Sequence, residues 1–149
     1  MLEGVSREAD FDYRWARIFF AYGPGQRSAS LIPHLHASFA RGTVPALREP
    51  NAVQDFVHVD DVARGLVMLA QCQAPSGIFN LGSGRPTSVG EIANRVARHY
   101  GQSPPFVCVD PGPGLWADIS RTNSATGWRP EIGIADGIEM TLHALDGKI

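Results

Sequence analysis

The sequence predicts an α/β fold, and three observations carry that prediction. Short runs of branched and aromatic residues alternate with stretches of helical period along the whole chain. The run Arg17-Ile18-Phe19-Phe20-Ala21-Tyr22 passes straight into Gly23-Pro24-Gly25. That is a buried type of strand delivered into a loop, the place where α/β sheets hold ligands. Finally, 44% hydrophobic residues with both charge signs present suit one globular domain of 149 residues.

Each element follows from local pattern. Residues 2–9 read as the last turns of a helix. Residues 13–20 are almost continuously apolar, which suits a strand covered on both faces. Leu31, Leu35 and Phe39 set a helix over 30–41, with Gly42 at its C′ stop. Residues 44–47 form a short apolar segment before a polar loop. Val53-Gln54-Asp55-Phe56-Val57-His58-Val59 alternates with the period of a half-buried strand. Asp60 or Asp61 can cap the helix that follows, which carries Val62, Leu66, Leu69 and Ala70 on one face. Ile78-Phe79-Asn80-Leu81 is a strand ended by Gly82-Ser83-Gly84. Ser88-Val89-Gly90-Glu91 has the spacing of a capping box and opens a helix that Gly101 stops. Residues 106–109 read as a strand, 111–114 as a loop and 118–126 as a short helix. Gly127-Trp128-Arg129-Pro130 reads as a turn, and 134–145 as a final amphipathic helix through Ile138 and Leu142.

Charge and composition exclude several function classes. A formal charge of −2 and a pI near 6.2, with no basic run, do not fit a nucleic-acid partner. The longest apolar runs are strand-sized, so no membrane partner is expected. Residues 1–12 carry acids and no long apolar core, unlike a signal peptide. Cys72 and Cys108 read as reduced thiols, and the chain as cytoplasmic. Asp60 and Asp61 read as caps rather than metal ligands, and His58 as a structural hydrogen-bonding residue. His34 and His36, two apart on a helix, diverge too far for joint ligation. No metal site is expected.

Four segments in order then take on a collective meaning. They are Arg17…Tyr22-Gly23-Pro24-Gly25-Gln26, Asp55-Phe56-Val57-His58-Val59-Asp60-Asp61-Val62-Ala63, Phe79-Asn80-Leu81-Gly82-Ser83-Gly84, and Asp118-Ile119-Ser120-Arg121…Gly127-Trp128-Arg129-Pro130. Together they resemble the C-terminal half of the extended short-chain dehydrogenase/reductase family, the NAD-dependent epimerases, dehydratases and ketoreductases of nucleotide sugars. The resemblance runs from about residue 2 to 145. It implies the C-terminal part of a Rossmann-like NAD(P)-binding fold with its smaller substrate-binding subdomain. Residues 1–149 would then be a single incomplete domain, with the N-terminal dinucleotide-binding half absent from the chain. It also implies NAD or NADP as cofactor, held poorly by this chain alone. A nucleotide sugar or other sugar-derived molecule is the implied partner, with a homodimer in the full-length protein.

By the same resemblance, Phe19 lies with its backbone by the nicotinamide and Phe20 faces the substrate. Tyr22 and Gln26 belong to the tip that completes the site. Leu31, Ile32, Pro45, Ala46 and Leu47 match segments that sandwich the substrate nucleotide. Ordinary core packing is the competing reading of all these apolar positions. Gln54 stands where many members carry an arginine on the substrate diphosphate, and residues 111–115 offer no second arginine. Losing two charge-assisted contacts of roughly 1.5–3 kcal/mol each would weaken such binding substantially. Phe20 likewise replaces the asparagine common in sugar epimerases.

The family's catalytic parts are missing from the sequence. Thr87 stands where Gly82-Ser83-Gly84-Arg85-Pro86-Thr87 would need its third glycine to cradle a pyrophosphate. The only lysine, Lys148, has no tyrosine four residues before it, so there is no Tyr-x-x-x-Lys pair. Tyr13-x-x-x-Arg17 is the nearest mimic, but arginine stays protonated. The chain is therefore expected to hold substrate but to be inactive alone. The rival expectations are a non-enzymatic binder or a truncated product. A further expectation follows: part of residues 15–20 should be poorly covered when this chain stands by itself.

Overall fold

In a computed structural model, Gly4, residues 12–107 and residues 114–147 are described. The helix expected over 2–9 lies outside these residues except for Gly4, which is helical. The expected strand run, residues 13–20, divides into β1 (Arg14–Ile18) and β2 (Phe20–Tyr22). The division has a physical cause, because the two pieces pair with different neighbours. β1 lies parallel to β4 (Gly77–Leu81), and β2 lies parallel to β3 (Val53–His58). Between them the Phe19 N–H still donates to the Leu81 carbonyl at 3.0 Å. A short β5 (Pro86–Ser88) runs antiparallel to β3 on its other side.

β3, expected to be half-buried, is covered on both faces, every residue except Gln54 being buried, and its two faces feed two cores. Phe56 points into a cluster formed with Tyr22 and with α1 (Leu31–Phe39), α3 (Val89–His99) and α5 (Ile134–Asp146). Val57 points the other way, joining Phe79, Leu81 and Trp128 beneath α2 (Val59–Gln71) and α4 (Ser120–Thr126). Helices therefore cover both faces of the strand end, the layering that the alternating pattern predicts. Gly42 and Gly101 take left-handed φ values of 71° and 67°, as expected of residues just past a helix end.

Four further local expectations need correction. Neither Asp60 nor Asp61 caps α2. His58 does, its Nδ1 accepting the Asp60 N–H at 3.3 Å, so the aspartates fall inside the first turn. The buried stripe of α2 runs through Asp61, Val62, Gly65 and Leu69, leaving Leu66 and Ala70 in solvent. The capping box is half made. Ser88 Oγ accepts the Glu91 N–H at 3.1 Å, but the Glu91 carboxylate turns to Arg95 at 2.8 Å. Phe106 and Val107 form no strand. The Asn94 side chain instead clasps Phe106, donating to its carbonyl at 2.8 Å and accepting its N–H at 3.0 Å. That satisfies the backbone groups a strand partner would otherwise have taken. Val109 and Cys108 lie outside the described residues.

Trp15, Ile18 and Phe20 are 52%, 44% and 52% exposed, so the expected poor cover of residues 15–20 is observed. Among the described residues, no strand pairs with β1 on the side away from β4.

Candidate functional site

The change of strand partner at Phe19 opens a groove. The strand pairs with β4 as far as Ile18 and with β3 from Phe20 onward, so neither partner runs its whole length. The crevice beside such a switch, at strand ends, is where open α/β sheets accept ligands. Here it is a cavity of about 270 Å³ lined by Arg17, Ile18, Phe19, Phe20 and Leu115. Arg17 is exposed there and brings the groove's one positive charge among those five residues. Phe20 rests against Phe56 with ring centroids 5.9 Å apart, which fixes the floor.

The opposite wall is set from much further along the chain. Leu115 forms a bridge to Gln54, itself opposite Thr87 in β5. What holds this segment is Asp55, fully buried. Its Oδ1 accepts from the Ser83 N–H and, at 2.7 Å, from the Ser83 hydroxyl. Its Oδ2 accepts from the Gly84 and Ala117 N–H groups, both at 2.9 Å. Four donors converging on one carboxylate replace the water it gave up on burial. They tie the loop after β4 and the segment before α4 to β3. Asp55 is a positioning residue that the sequence reading left inside a motif without a role. Its signal was present: an acid between Val53 and Val57, in phase with the core side of an alternating strand.

The same carboxylate decides how the glycine loop can be used. The Ser83 and Gly84 amides, the donors that a pyrophosphate would need, are already bound to Asp55. An anion brought to that loop would meet a buried negative charge rather than free N–H groups. The residues present do not fit a cofactor pyrophosphate site, in agreement with the missing third glycine.

The other predicted residues divide between groove, tip and core. Phe19 and Phe20 line the groove, and Gln54 stands behind Leu115. Gln26 borders a smaller cavity of about 190 Å³ at the Gly23-Pro24-Gly25 tip, its amide donating to the Ala21 carbonyl at 3.3 Å. Tyr22 also borders that cavity, but it is only 2% exposed. Its ring packs edge-on to His58 at 5.4 Å, and its hydroxyl lies against Gly137 of α5. Burial, and then the nearby Asp61 and Asp136, push this phenol far above its ordinary range, so it stays neutral. The Tyr22 side chain is thus part of the core. Ile32 is 1% exposed and, with Leu31 and Leu47, packs into the cluster under α1. Pro45 is buried and Ala46 exposed. For Leu31, Ile32 and Leu47, ordinary packing is what the side chains do.

Asp61 is the second residue whose role sequence alone missed. It is 2% exposed, and its carboxylate accepts the Glu131 N–H at 3.0 Å and the Ile132 N–H at 2.9 Å. Arg64 pairs with it from the next turn of α2. Together they anchor the turn that the Trp128 indole also fastens, through its N–H to the Asp61 carbonyl at 2.9 Å.

Comparison with known proteins follows the same lines. The model of the NAD dependent epimerase/dehydratase family matches residues 1–82. Over 132 residues the chain is 33% identical to a dTDP-L-rhamnose 4-epimerase of Burkholderia thailandensis, covering 82% of this chain and 36% of that protein. Over 140 residues it is 28% identical to a UDP-glucuronate 4-epimerase of Thermodesulfobacterium geofontis, covering 89% and 42% respectively. In structure it resembles the UDP-glucose 4-epimerase of Thermotoga maritima, solved with UDP-glucose. The TM-score is 0.85 at 24% identity, covering 99% of this chain and 50% of that one. The chain thus spans half or less of the length of these relatives. No helix among the described residues is long and apolar enough to cross a membrane.

Proposed function

We propose that this chain, which belongs to the NAD dependent epimerase/dehydratase family, provides the substrate-binding part of a nucleotide-sugar epimerase, dehydratase or 4-ketoreductase. The observation that carries the reading is the groove at the strand switch. Exposed Arg17, Ile18 and Phe20 converge there with Leu115 beside an uncovered strand edge. An apolar groove with one cation at its rim suits a ligand that has a flat ring at one end and an anionic linkage at the other. In this reading Phe20 offers the sugar an apolar face rather than a hydrogen bond. Phe19 brings its backbone towards a nicotinamide that residues outside these 149 hold. Gln54 and Gln26 contribute uncharged hydrogen bonds, and Arg17 takes the place of the expected diphosphate arginine.

NAD or NADP would supply the hydride chemistry when bound. This chain's residues bind and orient the substrate, which reduces the freedom the reacting groups must lose. The Tyr22 phenol, neutral and buried, takes no part in proton exchange. No turnover is expected from the chain alone. The test is an assay of the purified chain with NADH or NADPH and 4-keto nucleotide sugars. A rate clearly above the blank overturns the reading of an incomplete enzyme.

A further inference from the structure

The strongest unassigned chemistry lies outside the groove, where α3 meets α5. We propose that His99, Glu139 and His143 form a binding site for a divalent transition-metal ion of the zinc type. One ligand atom from each of the three residues lies within 4.8 Å of the other two. Glu139 and His143 are four apart on α5, so they share one face of that helix. His99 meets them from the C-terminal end of α3, its Nδ1 2.8 Å from Glu139 Oε2 and its ring 5.9 Å from that of His143.

A second observation matches the surroundings of a ligating imidazole. The other ring nitrogen of His99, Nε2, faces Asp146 Oδ2 at 3.3 Å. A ligating imidazole characteristically donates its second N–H to a carboxylate, which fixes the tautomer and turns the free nitrogen towards the ion. Asp146 is itself held, since the Tyr100 hydroxyl donates to its Oδ1 at 3.4 Å and also meets His36. The ring that would bind the ion is thus oriented from behind by a fixed carboxylate.

The donor set selects the ion. Two imidazoles and one carboxylate suit zinc, nickel, cobalt or copper, whereas magnesium and calcium prefer an all-oxygen shell. With metal–ligand bonds of about 2.0–2.2 Å, tetrahedral ligand atoms sit about 3.3 Å apart. No pair here therefore needs to close by more than about 1.5 Å, which rotation of the exposed Glu139 and His143 side chains can supply. Three protein ligands leave water in the fourth position. The ion would pin α3 to α5, the helices that cover the Tyr22–Phe56 face.

The site is tested on the full 149-residue chain by titration with cobalt, read by visible absorption, and with zinc, read by calorimetry. The expected result is saturable uptake of one equivalent with a tetrahedral cobalt spectrum and a raised melting temperature. His143→Gln should abolish it, Asp146→Asn should weaken it by about tenfold, and His34→Gln, at an exposed position, should leave it unchanged. Wild-type chain that takes up no ion saturably overturns the proposal. So does uptake that survives His143→Gln or is competed equally by magnesium.

Discussion

Replacing Asp55 by Asn tests how the groove is held, because the change keeps the side chain's shape and alters only charge and donor pattern. In the native fold the carboxylate accepts from four donors: two on Ser83, one on Gly84 and one on Ala117. The amide of Asn can accept on one oxygen only. Its NH2 group must face either the Ser83 pair or the Gly84 and Ala117 amides, so two donors lose their partner and meet another donor. Bonds to a charged acceptor contribute roughly 1.5–3 kcal/mol each. The pair does not add fully, so Asp55→Asn should cost about 3–5 kcal/mol, a third or more of typical domain stability. At roughly 2–4 °C per kcal/mol the melting temperature falls by roughly 10 °C. The assay is urea unfolding followed by circular dichroism, with amide hydrogen exchange at Ala117 as the local readout. Ser83→Ala removes the hydroxyl's bond to Asp55 and its contacts with the exposed Arg85 backbone, whose groups water can satisfy, and should cost about 2 kcal/mol. The reasoning fails if Asp55→Asn costs no more than Ser83→Ala, or if Ala117 exchange is unchanged in the Asn variant.

The remaining predictions concern the packing around Tyr22. A Cβ on Gly137 would collide with the Tyr22 hydroxyl, so Gly137→Ala should destabilise by about 1–3 kcal/mol. That hydroxyl has no hydrogen-bond partner among the described residues, so Tyr22→Phe should be nearly neutral. It should also recover more than half of the Gly137→Ala loss in the double variant, as urea midpoints would show; an additive double variant would be the contrary result. Stability should also fall on the alkaline side. Burial first, with Asp146 helping, pushes Tyr100 up to about 12, and Tyr22 is raised further. Both phenols hold their protons longer in the fold than in the unfolded chain, whose tyrosines titrate near ~10. Their contribution is fully present below pH ~10 and is lost as pH rises through the folded values. Urea midpoints between pH 8 and 12 should therefore decline, and the Tyr22→Phe/Tyr100→Phe variant should flatten the curve.

Features set by near neighbours in sequence were the legible ones. The presence of β3, the stops at Gly42 and Gly101 and the Ser88 cap each depend on residues a few positions apart, and each is observed. The features that sequence missed depend on partners far away. Phe106 reads as strand by composition, but Asn94, twelve residues earlier, takes both of its backbone groups. Asp61 reads as a cap by position, but its hydrogen bonds go to Glu131 and Ile132, some seventy residues later. His99 and Glu139 are forty residues apart and carry no shared motif.

The groove combines both kinds of feature, which explains why it was half legible. Its floor is a continuous stretch, Arg17 to Phe20, and its apolar run announces a strand end. Nothing in that run announces the change of partner at Phe19, since pairing with β4 or β3 depends on strands more than thirty residues away. The wall is still less local: Leu115 is placed by a bridge to Gln54, and Ala117 by a carboxylate 62 positions earlier in the chain. Exchanging groove-floor residues should therefore alter what the groove accepts while leaving its shape. Exchanging Asp55 should alter the shape itself. A ligand-binding series across Phe20→Asn and Asp55→Asn separates the two. Phe20→Asn, half exposed, should keep the native melting temperature within a few degrees and change ligand preference. Asp55→Asn should lower affinity for every ligand alike. Equal effects of the two substitutions on preference would show that the wall and the floor are not held independently.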